Sequence, residues 1–325
     1  HLTKSTSQMA MRLAKTPVRI FFAAPFVLLL ASCGSKDTVV DVVAIGPANS
    51  LFEAGGRLSP AAQLLRGSTA EGLVGLDEQG RVTSAMAERW IVEDDGLSYI
   101  FRLRAGDWLD GGPITADSAR TALRQALAAL RGTPLALDLA GIEDIRVMTG
   151  RVVELRLSRP QPQLLQLLAQ PELGLLRKGL GGGPMKLHRE GPVVMLTPIE
   201  PEKRGLPSVE DWLKRARKLQ FRALPAGKAI ERFNLGEADA VLGGKIEDFP
   251  LVDVSGLSRG AIQLDPVTGL FGLVFAHGDG FLSLPANREA VAMAIDREGL
   301  LGSFGIGGWT PTNRIVPPGI ENSAA

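Results

Sequence analysis

Between Leu97 and Arg104 apolar and polar side chains alternate. Leu97, Tyr99, Phe101 and Leu103 point one way, Ser98, Arg102 and Arg104 the other, with Ile100 as the exception. A period of two places successive side chains on opposite faces, so the pattern predicts a β-strand with one buried face. Asp95-Gly96 stands between this run and an earlier alternating one and predicts a two-residue hairpin turn, because glycine accepts the positive φ such turns need. Upstream, Glu71-Gly72-Leu73-Val74 is a short apolar run, and Leu76–Gly80 leads into a polar turn. Downstream, Trp108–Pro113 turns the chain. Thr115 then caps a helix whose Ala119, Leu123, Ala126, Leu127 and Leu130 share a face, and Gly132 and Pro134 stop it.

The same reading extends along the chain. Val39–Ile45 is a β-branched run and predicts a buried strand that Gly46-Pro47 ends. The polar, glycine-containing loop Asn49–Arg57 follows, and ligands in α/β sheets bind beyond the carboxyl ends of strands, which makes this loop a pocket candidate. Gly141–Met148 and Val152–Leu157 predict a hairpin about Thr149-Gly150. Pro160 and Pro162 start a helix lined by Leu164, Leu165, Leu167 and Leu168 and ended by Pro171. Gly181-Gly182-Gly183 lacks the Lys-Ser or Lys-Thr that a phosphate loop needs. Leu196–Trp212 is rich in proline and charge. Leu219, Phe221 and Ala223 predict a strand, Ala229, Ile230 and Phe233 a helix closed by Gly236, and Ala238–Leu242 a further strand. Leu270–Phe275 predicts a strand and Pro285–Leu301 a helix with Val291, Ala294, Ile295 and Leu301 near one face. No internal repeat is visible.

Composition narrows the class. A chain of 325 residues buries a large core and is long enough for two or more lobes. Its 45% hydrophobic and 22% charged residues are ordinary for a soluble globular protein. The first 33 residues hold Lys4, Arg12, Lys15 and Arg19 and no acid, which leaves 36 − 4 = 32 basic against 35 acidic residues, a net of −3. That balance argues against a nucleic-acid partner. The single cysteine excludes an intrachain disulfide. Arg12, Lys15 and Arg19 form a positive region after a start at Met9 or Met11. Ile20–Leu30 is an apolar stretch too short to span a bilayer comfortably. Leu30-Ala31-Ser32-Cys33 is similar to a bacterial lipobox, which makes residues 1–33 a signal peptide and Cys33 the lipidated residue; a plain secretory signal or an uncleaved anchor are the alternatives. Gly34–Asp37 reads as a tether.

Several segments, taken in order, resemble one family. They are Glu71-Gly72-Leu73, Met86-Ala87-Glu88-Arg89-Trp90, Asp95-Gly96, Tyr99-Ile100-Phe101-Arg102-Leu103-Arg104 and Trp108-Leu109-Asp110-Gly111-Gly112-Pro113-Ile114-Thr115-Ala116. This set resembles the extracytoplasmic solute-binding proteins of the peptide/nickel ABC-transporter family. Phe233–Asp239 is similar to that family's L-x-x-G-E-x-D segment, and Ala294-Ile295-Asp296-Arg297 matches its A-I-D-R. Gly181–Met185 resembles its G-T-G-P-Y, where the chain crosses between subdomains, with Gly182 and Met185 replacing Thr and Tyr. Ser50–Glu53 stands where the family has L-D-P, and Ala276 where it commonly has Asn.

The resemblance implies a two-lobed α/β fold of the type II periplasmic-binding-protein kind with an extra inserted subdomain. Residues 34–58 plus 183–269 would form the first lobe, 59–182 the inserted subdomain and 270–325 the start of a second, incomplete lobe. Trp90, Tyr99, Phe101 and Trp108 are then core residues. The candidate ligand residues are Asn49, Phe52, Glu53, Phe275 and His277. The implied function is capture of a small, peptide-like solute for an ABC permease, by a monomer held outside the cytoplasmic membrane or in the periplasm by lipid. No cofactor, metal or catalysis is implied. A non-transport lipoprotein on the same fold is the alternative: a chaperone, a sensor partner or a degenerate scaffold. Family members run further than this chain, so Gly302–Ala325 is expected to be mobile and solute affinity weak.

Two chemical readings compete with binding. Gly256-Leu257-Ser258-Arg259-Gly260 matches the G-x-S-x-G of hydrolases, with Asp265 and His277 following in order. That elbow needs a helix after the serine, whereas Ala261–Pro266 alternates like a strand. His188 and His277 have no ligand-spaced partners for a metal.

Overall fold

The computed structural model describes residues 39–252, 261–265, 269–304 and 309–315. Cys33, the Gly256–Gly260 motif and the rest of the tail beyond Phe304 lie outside those residues. The chain begins its fold with strand β1 (Val40–Ile45), in which Val43 and Ala44 are fully buried. A 3-10 turn over Ser50–Phe52 and helix α1 (Pro60–Thr69) follow, and the Ser59 side chain caps α1 by accepting from the Ala62 amide. Next come β2 (Val74–Leu76), β3 (Val82–Ser84), β4 (Ala87–Val92) and β5 (Ser98–Leu103), then α2 (Ala116–Ala129) and α3 (Pro134–Asp138). After these stand β6 (Ile142–Thr149), β7 (Val152–Leu157), α4 (Leu164–Leu168), β8 (Leu176–Arg177) and β9 (Leu180–Gly181). The chain continues with β10 (Met185–Glu190), β11 (Val193–Pro198), α5 (Trp212–Arg215), β12 (Leu219–Leu224), α6 (Ala226–Asn234) and β13 (Ala240–Leu242). Helices α7 (Pro285–Met293) and α8 (Arg297–Phe304) come last.

Two principal sheets carry these elements. The first runs in the order β10-β11-β12-β1-β13 and is built from chain segments far apart in sequence. Its β1 pairs in parallel with both β12 and β13, so Ile45, Leu224 and Leu242 end on one edge. Helix α1 packs its Ala61 and Leu65 with Val42, Ala44, Val194, Leu196, Phe221 and Ala223 on one face. On the other face Val43 packs with Ala229 of α6 and with Ala238. The second sheet, β4-β5-β7-β6, is antiparallel and lies against α2 and α4.

The strand over 97–103 forms with Tyr99, Phe101 and Leu103 in the core, as its alternation predicts. Ser98 is buried as well, because its hydroxyl donates to the buried Glu154 carboxylate at 2.8 Å. Burial raises the Tyr99 phenol above its ordinary pKa, and its hydroxyl donates to the Gln161 carbonyl. Trp108 is 2% exposed and its indole N–H donates to Ser118 Oγ at 3.0 Å. Ser118 also completes a reciprocal capping box with Thr115 at the start of α2. Trp90 is partly buried against the same core.

A buried ion cluster joins the two sheets. The Glu71 carboxylate accepts two bonds from Arg104, at 2.7 and 2.9 Å, and one from Arg204 Nη2. Arg104 Nε donates to the Arg204 carbonyl at 2.7 Å, and Arg204 Nε to the Gly182 carbonyl. Glu71 precedes β2, Arg104 follows β5, and Arg204 follows β11. Beside the cluster, Gly205 has φ 74, and a Cβ there would sit 1.9 Å from the Ala105 carbonyl oxygen. Only glycine fits such a position.

The glycine run 181–183 is the crossing between the two regions. A Cβ on Gly181 or Gly183 would lie 2.4 Å from the backbone of Thr69, so the chain passes directly over the end of α1.

Four expectations need correction. The turn before β5 is longer than two residues: Glu93 N donates to Ser98 O, and Gly96, at φ 66, donates to Glu93 O. Leu270–Phe275 forms no strand, since no described residue pairs with it and strand amides need a neighbour. Pro285–Leu301 is two helices: the first ends at Met293 with Ala294 as its cap, and Asp296 starts the second, accepting from the Gly299 amide at 2.9 Å. Ile262–Asp265 carries no strand. The hairpin β10–β11 was not foreseen, although Glu190-Gly191-Pro192 separates two runs there.

Replacing Trp108 with alanine is expected to destabilise the protein by about 3–5 kcal/mol, as for other buried aromatics. Denaturant unfolding measures this, and a loss below about 1 kcal/mol would contradict the burial and bonding described.

Candidate functional site

The loop after β1 is held in shape by its own short-range bonds. Gly46 N donates to Leu224 O, which fixes the end of β1 against β12. Ser50 Oγ donates to the Pro47 carbonyl at 2.7 Å, and Leu51 is buried in the core beneath. Glu53 Oε2 accepts from Ser59 N at 2.6 Å, and Ser59 Oγ donates to Ser50 O. These bonds dock the loop on the start of α1. They leave Asn49 and Glu53 exposed and the Phe52 ring half-buried at the carboxyl end of β1.

Arg189 of β10 lies over that ring, its guanidinium carbon 3.6 Å from the ring centroid. Strand β10 runs parallel to β1, because both β10–β11 and β11–β12 are antiparallel. Arg189 faces Val194 across the pair and so stands on the α1 face of the sheet, with Phe52. Its Nε donates to Gly191 O, and among the described residues its two Nη groups have no hydrogen-bond partner. An arginine, an aromatic ring, a carboxylate and an amide therefore border one edge of the sheet. Sequence reasoning missed Arg189 because the β10–β11 hairpin was not read.

Farther along this loop, Gly56 abuts the end of α2, and Arg57 donates to the Gly132 carbonyl. A hollow of about 440 Å³ opens between this stretch and Thr133, Leu135 and Leu167. Gln63 donates to the buried Glu172 carboxylate on its border at 2.8 Å. Burial lowers the pKa of the nearby Arg66 guanidinium, and the Glu172 charge partly opposes that shift.

Phe275 and His277 stand elsewhere. With Leu273, Arg288 and Ile315 they line an open hollow of about 640 Å³. No described hydrogen bond, ion pair or ring contact joins them to Asn49, Phe52 and Glu53. Neither α7 nor α8 buries a residue, and Leu273 and Val274 are more than four-fifths exposed. The only ring cluster described in this stretch is Phe271, Phe304 and Trp309, with centroids 5.8–6.5 Å apart. His188 is exposed, beside Glu190.

Comparison with known proteins gives one consistent answer. The glutathione-binding protein of Escherichia coli K12 is 26% identical over 317 residues, covering 90% of this chain and 59% of that protein. The probable deoxycholate-binding periplasmic protein of the same organism is 35% identical over 121 residues, 32% of this chain and 23% of its own length. Among solved structures, NikZ from Campylobacter jejuni in complex with Ni(L-His) superposes with a TM-score of 0.59 at 20% identity, covering 82% of this chain and 55% of that one. The periplasmic binding protein DppA from Helicobacter pylori, in complex with a peptide, gives 0.51 at 16% identity, covering 66% and 48%. This chain thus spans little more than half the length of the glutathione-binding relative and has the fold of the periplasmic binding proteins. Residues 81–325 match the family described as bacterial extracellular solute-binding proteins, family 5 middle, and the chain belongs to that family.

Proposed function

We propose that this chain captures a small peptide-like solute for an ABC permease, and that it does so as a monomer held outside the cytoplasmic membrane by lipid on Cys33. The observation that carries the reading is membership of the solute-binding family, together with an accessible loop at the carboxyl end of β1. Two relatives favour a peptide: one is named for glutathione, itself a peptide, and another is solved with a peptide bound. The site proposed comprises Asn49, Phe52 and Glu53, to which we add Arg189. Its Nη groups suit a carboxylate, which a peptide carries at its C-terminus. Phe275 and His277 would contribute from the far side of a cleft.

The domain division is likewise proposed. Residues 183–269 would join the N-terminal strand in the first lobe, with 59–182 inserted and 270–325 beginning the second. Since Ala61 and Leu65 pack with the first sheet, α1 would travel with the first lobe.

Two experiments test this. A strain lacking the chain should lose uptake of labelled short peptides and regain it on complementation. Arg189→Ala should restore uptake only weakly while changing stability by less than about 1 kcal/mol, the scale of an exposed cation–π contact. Unaltered peptide uptake with loss of nickel or bile-acid uptake would reject the peptide reading. Separately, Cys33→Ser should abolish palmitate labelling and detergent partitioning. Labelling that survives the substitution would reject the lipid anchor.

A further inference from the structure

The connection between β11 and β12 ends in Trp212-Leu213-Lys214-Arg215-Ala216-Arg217-Lys218, which has four cations and no acid. Most of its side chains are exposed. Leu213 is 81% exposed, Val209 is exposed, and the half-buried Trp212 belongs to no described core cluster. The acids beside it are Glu210 and Asp211. Asp211 is taken up by Lys214, at 2.7 Å from Nζ. Arg217 folds back on the carbonyls of Lys214 and Ala216, which shapes the turn and leaves its positive charge uncompensated by any described acid.

The position of this segment is informative. It precedes β12 at the amino ends of the parallel strands, on the edge opposite the loop with Asn49 and Phe52. It also adjoins the place where the main chain enters the fold, since Val40 N donates to the Lys218 carbonyl at 2.9 Å. Cys33 is six residues before Val39, a length of chain that extends at most ~20 Å. A tether at Cys33 would therefore hold Val40, and the segment bonded to it, within reach of the membrane.

We infer that Trp212–Lys218 is a membrane-docking surface that lies on anionic phospholipid. Arg215 and Arg217 face the headgroup charge, and Trp212 and Leu213 enter the boundary between headgroups and acyl chains. An indole suits that boundary because it pairs an apolar body with one N–H donor. Docking there keeps the carboxyl-end loop pointing away from the bilayer, where a solute can reach it. The inference rests on the tethering reading for its orientation.

The test uses the full chain reconstituted into vesicles of phosphatidylethanolamine with acyl-brominated phosphatidylglycerol, and records tryptophan quenching. Quenching is expected on these vesicles and not on equally brominated phosphatidylcholine. It should be lost in Trp212→Phe, and most of it should be lost in the triple variant Lys214→Glu, Arg215→Glu, Arg217→Glu. Thermal unfolding checks that each variant folds; Leu213→Ser, at a side chain 81% exposed, should reduce quenching and serves if the triple variant does not fold. Quenching that survives Trp212→Phe, equal quenching on the neutral lipid, or none on either would overturn the inference. The last result would assign the segment to an acidic protein surface instead. Palmitate labelling reports on the tether and quenching on the patch, so the two readings fail separately.

Discussion

A carboxylate removed from water is stable only where its charge is matched, and Glu71 meets that requirement through two guanidinium groups from different parts of the chain. The side chains of Glu71 and Arg104 are less than a tenth exposed. Arg104 belongs to the region of the antiparallel sheet, whereas Arg204 comes from the connection that follows β11. Neither arginine alone uses all the acceptor sites of the carboxylate. Bringing Arg204 into place sets Gly205 against Ala105 and ties the Gly182 carbonyl, which fixes the crossing into β10. The position of β10 in turn decides where Arg189 meets the Phe52 ring. A local electrostatic constraint thus reaches the candidate site through a short series of backbone contacts.

Much of the fold was legible because it rests on local rules. The period-two alternation of Leu97–Leu103, the Thr115 cap and the hairpin about Thr149-Gly150 each follow from positions a few residues apart. The helix Pro285–Leu301 misled for an equally local reason: Asp296 starts a new helix just after the first ends at Met293, and the apolar periodicity runs through the break unchanged. Leu270–Phe275 misled for a non-local reason. Its composition suits a strand, but a strand exists only with a partner, and none of the described residues supplies one.

The candidate site was legible only in part. The rule that ligands gather beyond the carboxyl ends of strands pointed to Asn49–Arg57, and the loop does stand there. Arg189 could not be placed beside it from sequence, because the contact spans about 140 residues and depends on sheet order rather than on spacing. Glu71 and Arg104 were visible as motif residues, yet nothing in the sequence joins them to Arg204. The same holds for the basic segment at Trp212–Lys218, whose place beside the chain's entry into the fold depends on the Val40–Lys218 backbone bond.

The central claim is that the Glu71 cluster couples the two sheets. A double-mutant cycle with Glu71→Gln and Arg204→Met, read by denaturant unfolding, tests it most directly. Each single change should destabilise by about 3–5 kcal/mol, because it leaves a buried charge without its full complement. The double variant should be no worse than the poorer single one, giving a coupling energy on the order of 2 kcal/mol or more. Additive losses, with coupling below about 0.5 kcal/mol, would show that the two groups act independently and that the sheets are held together by something else.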